Sequence, residues 1–161
     1  MLFMMGLNPI LLGVTALLII ATIGTASFLS MKTRPVFIYG LLALMVGIYV
    51  GFALIAFDSA EFVTRSVLSV LMVESLAALV FLFAGLAVVN SDRPWLLGVL
   101  LLSHGGVDLL HLLLDAAHSP DWYEFLCLIY DAVVGVAAIW LLSEKTVLDP
   151  AERNPETASS Q

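Results

Sequence analysis

The sequence predicts an all-α fold, an up-down bundle of five transmembrane helices, from three observations on a chain of 161 residues. The composition is 61% hydrophobic and only 12% charged, with a mean hydropathy of +1.08, far more apolar than a soluble domain. The apolar residues gather in five runs of about 20, the length of an α-helix that crosses the hydrocarbon core of a bilayer. Between them lie short segments carrying Pro, Asn, Asp and Arg, and short connections imply antiparallel neighbours.

The first run covers residues 6–30. Gly24 and Ala26 would suit signal-peptide cleavage, but no basic residue precedes Asn8 and the apolar run is too long, so an uncleaved helix is expected. The second run, 36–57, holds Gly47 and Gly51, a small-xxx-small pair that predicts close helix approach. The third, 66–89, is interrupted by Glu74, with Ala77 and Ala78 one turn further on. The fourth, 95–117, carries most of the polar residues found at membrane depth. The fifth, 125–142, contains Cys127 and Asp131, which share a face with Glu124 through three- and four-residue steps. Residues 1–143 thus form the transmembrane domain. Residues 144–161, rich in Glu, Pro and Ser, read as a disordered cytoplasmic tail.

Orientation follows from the basic residues. Lys32, Arg34, Arg93, Lys145 and Arg153 fall on one side and Arg65 alone on the other, which predicts an external N-terminus and a cytoplasmic C-terminus in the plasma membrane. Trp95 and Trp140 then mark the inner interface, Trp122 and Tyr123 the outer one. The outer loops concentrate Asp58, Glu61, Asp121 and Glu124, a surface that attracts cations.

Several function classes are excluded. One cysteine rules out an internal disulfide or a Cys-based metal cage within one chain, and a net charge of −7 argues against nucleic acid as a partner. No nucleotide-binding Gly loop, His-Glu-x-x-His motif or lipidation signal is present. The six methionines are scattered, unlike a soft-metal copper pathway.

The fourth run carries the chemistry. His104, Asp108, His111, Asp115 and His118 are spaced four, three, four and three residues apart, so at about 100° per residue they occupy an arc of roughly 80°. Ionisable groups at membrane depth cost at least a few kcal/mol each, so this stripe must line a cavity or meet partners. Glu74, His111 and Asp131 fall at similar depth, roughly 10–14 Å from the outer ends of three spans. The expected inner site is therefore Glu74, Asp108, His111 and Asp131, extended by His104, with Asp115, His118 and Glu124 at its mouth.

Three functions suit these residues. Imidazole and carboxylate groups at helical spacing are ligands for a divalent metal ion of unspecified identity. The same groups can relay protons or cations, because His titrates near neutrality and buried carboxylates can be brought into that range. Asp–His hydrogen bonds can also hold helices together without further function. The residues predict a small integral membrane protein with an outward-facing His/carboxylate site that binds a divalent cation or protons. A metal-dependent enzyme acting on a lipid or quinone-like substrate is one alternative class, and an assembly subunit of a membrane complex or oligomer is another. Gly105-Gly106 is read mainly as a packing feature, Cys127 as a buried small apolar residue, and Tyr130 as pointing away from Asp131.

Overall fold

The computed structural model describes residues 8–58, 65–114 and 119–143. They form five helices, α1 (Pro9–Phe28), α2 (Arg34–Asp58), α3 (Arg65–Val89), α4 (Leu96–Leu114) and α5 (Asp121–Ser143), with no strand among them. All five are long and apolar enough to cross a membrane. Their order in space is set by two close pairs, α4 with α5 and α2 with α3, while α1 leans mainly on α5.

Helix ends follow local chemistry. Asn8 caps α1, its side-chain oxygen accepting from the Ile10 amide at 3.0 Å, and Pro9 occupies the first helical position, where no amide proton is needed. α2 starts at Arg34, two residues before the apolar run, because Pro35 in a first turn costs no hydrogen bond. α5 starts at Asp121 rather than at residue 125. The Pro120 carbonyl receives the Tyr123 and Glu124 amides at 2.8 and 3.3 Å, so the aromatic and acidic residues at this end form the first helical turn instead of a loop. Hydropathy alone hides such a start, since acidic residues suit a helix N-terminus but lower the apolar score.

Burial is inverted relative to a soluble protein. Large side chains such as Leu17, Phe83, Leu113 and Trp140 point outward, whereas Glu74, His104, Asp108, Glu124 and Asp131 are buried. This distribution is what a bilayer selects, because the apolar exterior meets lipid tails and every polar group must find its partner inside. The chain is accordingly compatible with a multi-pass membrane protein. The apolar core comprises Ile38, Leu42, Leu97, Leu101, Val134 and Leu142, all at most 2% exposed.

Glycine sets the distance between α4 and α5. A Cβ on Gly98 would lie 2.5 Å from the Gly135 carbonyl oxygen and 2.7 Å from the Ile139 amide, and one on Gly135 would lie 2.9 Å from Leu102. The two backbones therefore touch, as small residues allow in membranes. Seven residues along α4, a Cβ on Gly105 would meet the Asp131 Cβ at 3.1 Å, so the same contact line places Asp131 beside the polar stripe. Gly47 and Gly51 behave otherwise: a Cβ on either meets nothing within 4 Å, so the expected close approach at that pair is not made.

Arg34 knots the opposite end of the bundle. Its guanidinium donates to the carbonyls of Ala26 and Leu141, both at 2.8 Å, and to those of Ser27 and Leu29 at 3.3 Å. One buried cation thereby serves the C-terminal turns of α1 and α5, where carbonyls lack amide partners and the helix dipole favours positive charge. As a sequence element Arg34 counted only as a topological marker.

Candidate functional site

α4 presents His104 and Asp108 one turn apart on its inner face, about 12 Å and 18 Å along the helix axis from Leu96. α5 brings Asp131 against them through the Gly105 contact. The His104 Nδ1 atom lies 2.7 Å from Asp131 Oδ2, a hydrogen-bonded contact that needs one proton between the two atoms, and 3.8 Å from Asp108 Oδ2. One ligand atom from each of His104, Asp108 and Asp131 fits within 4.8 Å of the others, and all three residues are buried.

The cluster holds more acceptors than donors. Both Asp108 oxygens and Asp131 Oδ1 are shielded from solvent without a hydrogen-bond partner among the described residues. The Tyr49 hydroxyl neighbours Asp108 but does not reach hydrogen-bond geometry with it. A fully buried carboxylate of this kind is costly unless a cation or proton offsets it.

The remaining described residue of the stripe, His111, belongs to a second group. His111 Nε2 lies 3.2 Å from Glu74 Oε1, joining α4 to α3. Tyr49 of α2 stands between the groups, its ring centroid 5.6 Å from that of His104 and 5.3 Å from that of His111. Phe81 packs edge-on against His104 at 5.4 Å. The residues read from the sequence as one inner site thus fall into two groups on either side of Tyr49, with His104 beside Asp108 and Asp131 in the first and Glu74 beside His111 in the second. The physical reason is rotation: Glu74 comes from α3 and Asp131 from α5, which approach α4 from different sides and make no mutual contact among the described residues.

Two expected mouth residues, Asp115 and His118, lie outside the described residues. Glu124 is described and is 1% exposed, its carboxylate accepting from the Ser119 hydroxyl, so it is held inside the bundle end rather than lining an open mouth. Cys127 is buried beside Tyr123. Tyr130 turns away from Asp131 and shares a 2.7 Å hydrogen bond with Thr22 on α1.

Sequence reasoning missed Tyr49, and a signal for it existed. Tyrosine in membrane helices favours the interfaces, whereas Tyr49 sits 15 residues beyond Arg34, well inside α2. An apolar cavity of about 320 Å3 opens between α1, α2 and α5, its walls including Leu18, Met45, Trp122, Leu126 and Cys127. A smaller one, of about 10 Å3, lies between the two polar groups and is lined by Tyr49, Glu74, Phe81, His104 and His111.

Comparison with known protein families, with curated proteins and with solved structures finds no match to this chain.

Proposed function

We propose that His104, Asp108 and Asp131 bind a divalent cation inside the bundle. The observation that carries this is the set of three buried ligand atoms within 4.8 Å of one another, drawn from one imidazole and two carboxylates. Two carboxylates and a neutral imidazole balance a charge of +2, which removes the cost of burying them uncompensated. Nitrogen and oxygen ligands suit a borderline or hard ion such as Zn2+ or Mn2+. The division of basic residues supports an orientation in which the C-terminal end of α4, and with it His111 and Glu74, faces outward in the plasma membrane.

The test is elemental analysis of detergent-purified protein with titration of Zn2+ and Mn2+ into chelator-treated protein. One ion per chain is expected, abolished by His104→Ala and by Asp131→Asn. Failure of every divalent ion to bind would leave protons as the compensating charge and shift the reading to a proton relay, with the 2.7 Å His104–Asp131 contact as its first link, or to plain helix packing.

The cavity between α1, α2 and α5 favours a second reading, a metal-dependent enzyme acting on a lipid or quinone-like substrate. Cys127, which lines that cavity, stands one turn from Asp131 on α5. Mass spectrometry of compounds extracted from the purified protein distinguishes this reading from simple cation binding. A stoichiometric apolar compound, lost in Leu18→Trp, would favour the enzyme.

A further inference from the structure

We infer that Glu74 and His111 form a separate loading site, at which a divalent cation is held before it reaches His104, Asp108 and Asp131. The inference rests on the cation-binding reading of that inner cluster and adds a route to it. Three observations carry it. The first is chemical: a carboxylate oxygen and an imidazole nitrogen 3.2 Å apart, from α3 and α4, are a two-ligand grip of the same donor types as the inner cluster.

The second is continuity. One cavity of about 10 Å3, room for about one water or a dehydrated ion, is lined at once by Glu74, His111 and His104. An ion held by the outer pair therefore has the inner imidazole as its next neighbour. Tyr49 borders the same cavity and is 3% exposed, with a hydroxyl that has no hydrogen-bond partner among the described residues. A polar oxygen in that position can assist an ion in transit.

The third is a gradient of access. Side-chain exposure falls from 14% at His111 and 7% at Glu74 to 4% at His104 and 0% at Asp108 and Asp131. His111 also lies one turn from the end of α4, while His104 lies near its middle. The more accessible pair is thus nearer the C-terminal end of α4, and the residues with the strongest need for a counter-charge lie behind it.

The pair is expected to govern rate and not affinity, because a group on the route lowers the barrier in both directions. The experiment is rapid mixing of chelator-treated, detergent-purified protein with Co2+, whose absorption bands report its ligands. In His111→Gln, association and dissociation should both slow, on the order of tenfold from loss of a ligand on the route, with equilibrium affinity and the bound spectrum unchanged. Glu74→Gln, which also removes a charge near the inner ion, should slow association and leave the bound spectrum unchanged. Ala77→Leu narrows the same cavity without removing a charge, and it should slow uptake as well even if the polar variants fold poorly. Wild-type rates in all foldable variants would overturn the loading site and make the pair a packing contact. A changed spectrum with weakened affinity would overturn it too, placing Glu74 or His111 in the inner coordination shell. Absence of any Co2+ binding in the unmodified protein would defeat the cation reading itself, an outcome distinct from both.

Discussion

Asp108 is the residue at which the cost of the site is concentrated. It is 0% exposed and neither oxygen has a hydrogen-bond partner among the described residues, so in chelator-treated protein it opposes folding. On the proposed cation-binding reading, Asp108→Asn is therefore expected to abolish divalent-cation binding while leaving the melting temperature of the cation-free protein equal or higher. Thermal melts with and without chelator check this, and a large destabilisation in chelator would show that the carboxylate has a structural partner. Arg34 presents the opposite case. Four carbonyls from two helix ends meet one guanidinium, whose planar fork of donors a lysine ammonium cannot reproduce. Arg34→Lys should retain the charge yet cost about 1.5–3 kcal/mol, the range for hydrogen bonds to charged groups, measured as a loss of unfolding free energy in detergent.

Helix pairs respond according to what each glycine faces. Gly98→Ala would drive a Cβ into the backbone of α5, which cannot give way as a side chain can, so α4 and α5 must separate and the protein should be strongly destabilised. Gly105→Ala meets only the Asp131 Cβ, at 3.1 Å, a milder collision that pushes the carboxylate away from His104. Its expected signature is weaker cation binding with little change in melting temperature. Gly47→Ala and Gly51→Ala enter open space and should change stability by no more than about 0.5–1 kcal/mol, towards greater helix propensity. Measuring the four variants side by side tests whether the α4–α5 contact line positions the site. Equal effects at Gly98 and Gly47 would show that it does not.

The described residues form an apolar exterior around a core that is apolar except for a band of buried His, Asp and Glu side chains. The orientation proposed for the protein in a membrane rests on the basic residues, which are read from the sequence as dividing five to one with Arg65 alone, although Arg34 is now bound by helix ends as well as counted by that rule. A reporter fused after Gln161 should be active only in the cytoplasm. An external reporter would place the more accessible pair, Glu74 and His111, on the cytoplasmic side and reverse the direction of loading.

The number, order and approximate limits of the helices were legible in the sequence, because a bilayer imposes length and apolarity on each span independently of its neighbours. The polar stripe on α4 was legible for the same kind of reason, since helical periodicity alone puts His104, Asp108 and His111 on one face. Their partners were not. Depth along a span is readable at 1.5 Å per residue, but which way a helix is turned about its axis depends on contacts with other helices. Gly98 against Gly135 brings Asp131 to His104, whereas α3 delivers Glu74 to His111 from another side, and Tyr49 packs its ring against both imidazoles. The sequence by itself determined what kind of molecule this is and which helix carries its ionisable groups. Only the tertiary structure decided that those groups fall into two clusters rather than one, because helix rotation is set by packing between residues far apart in the chain.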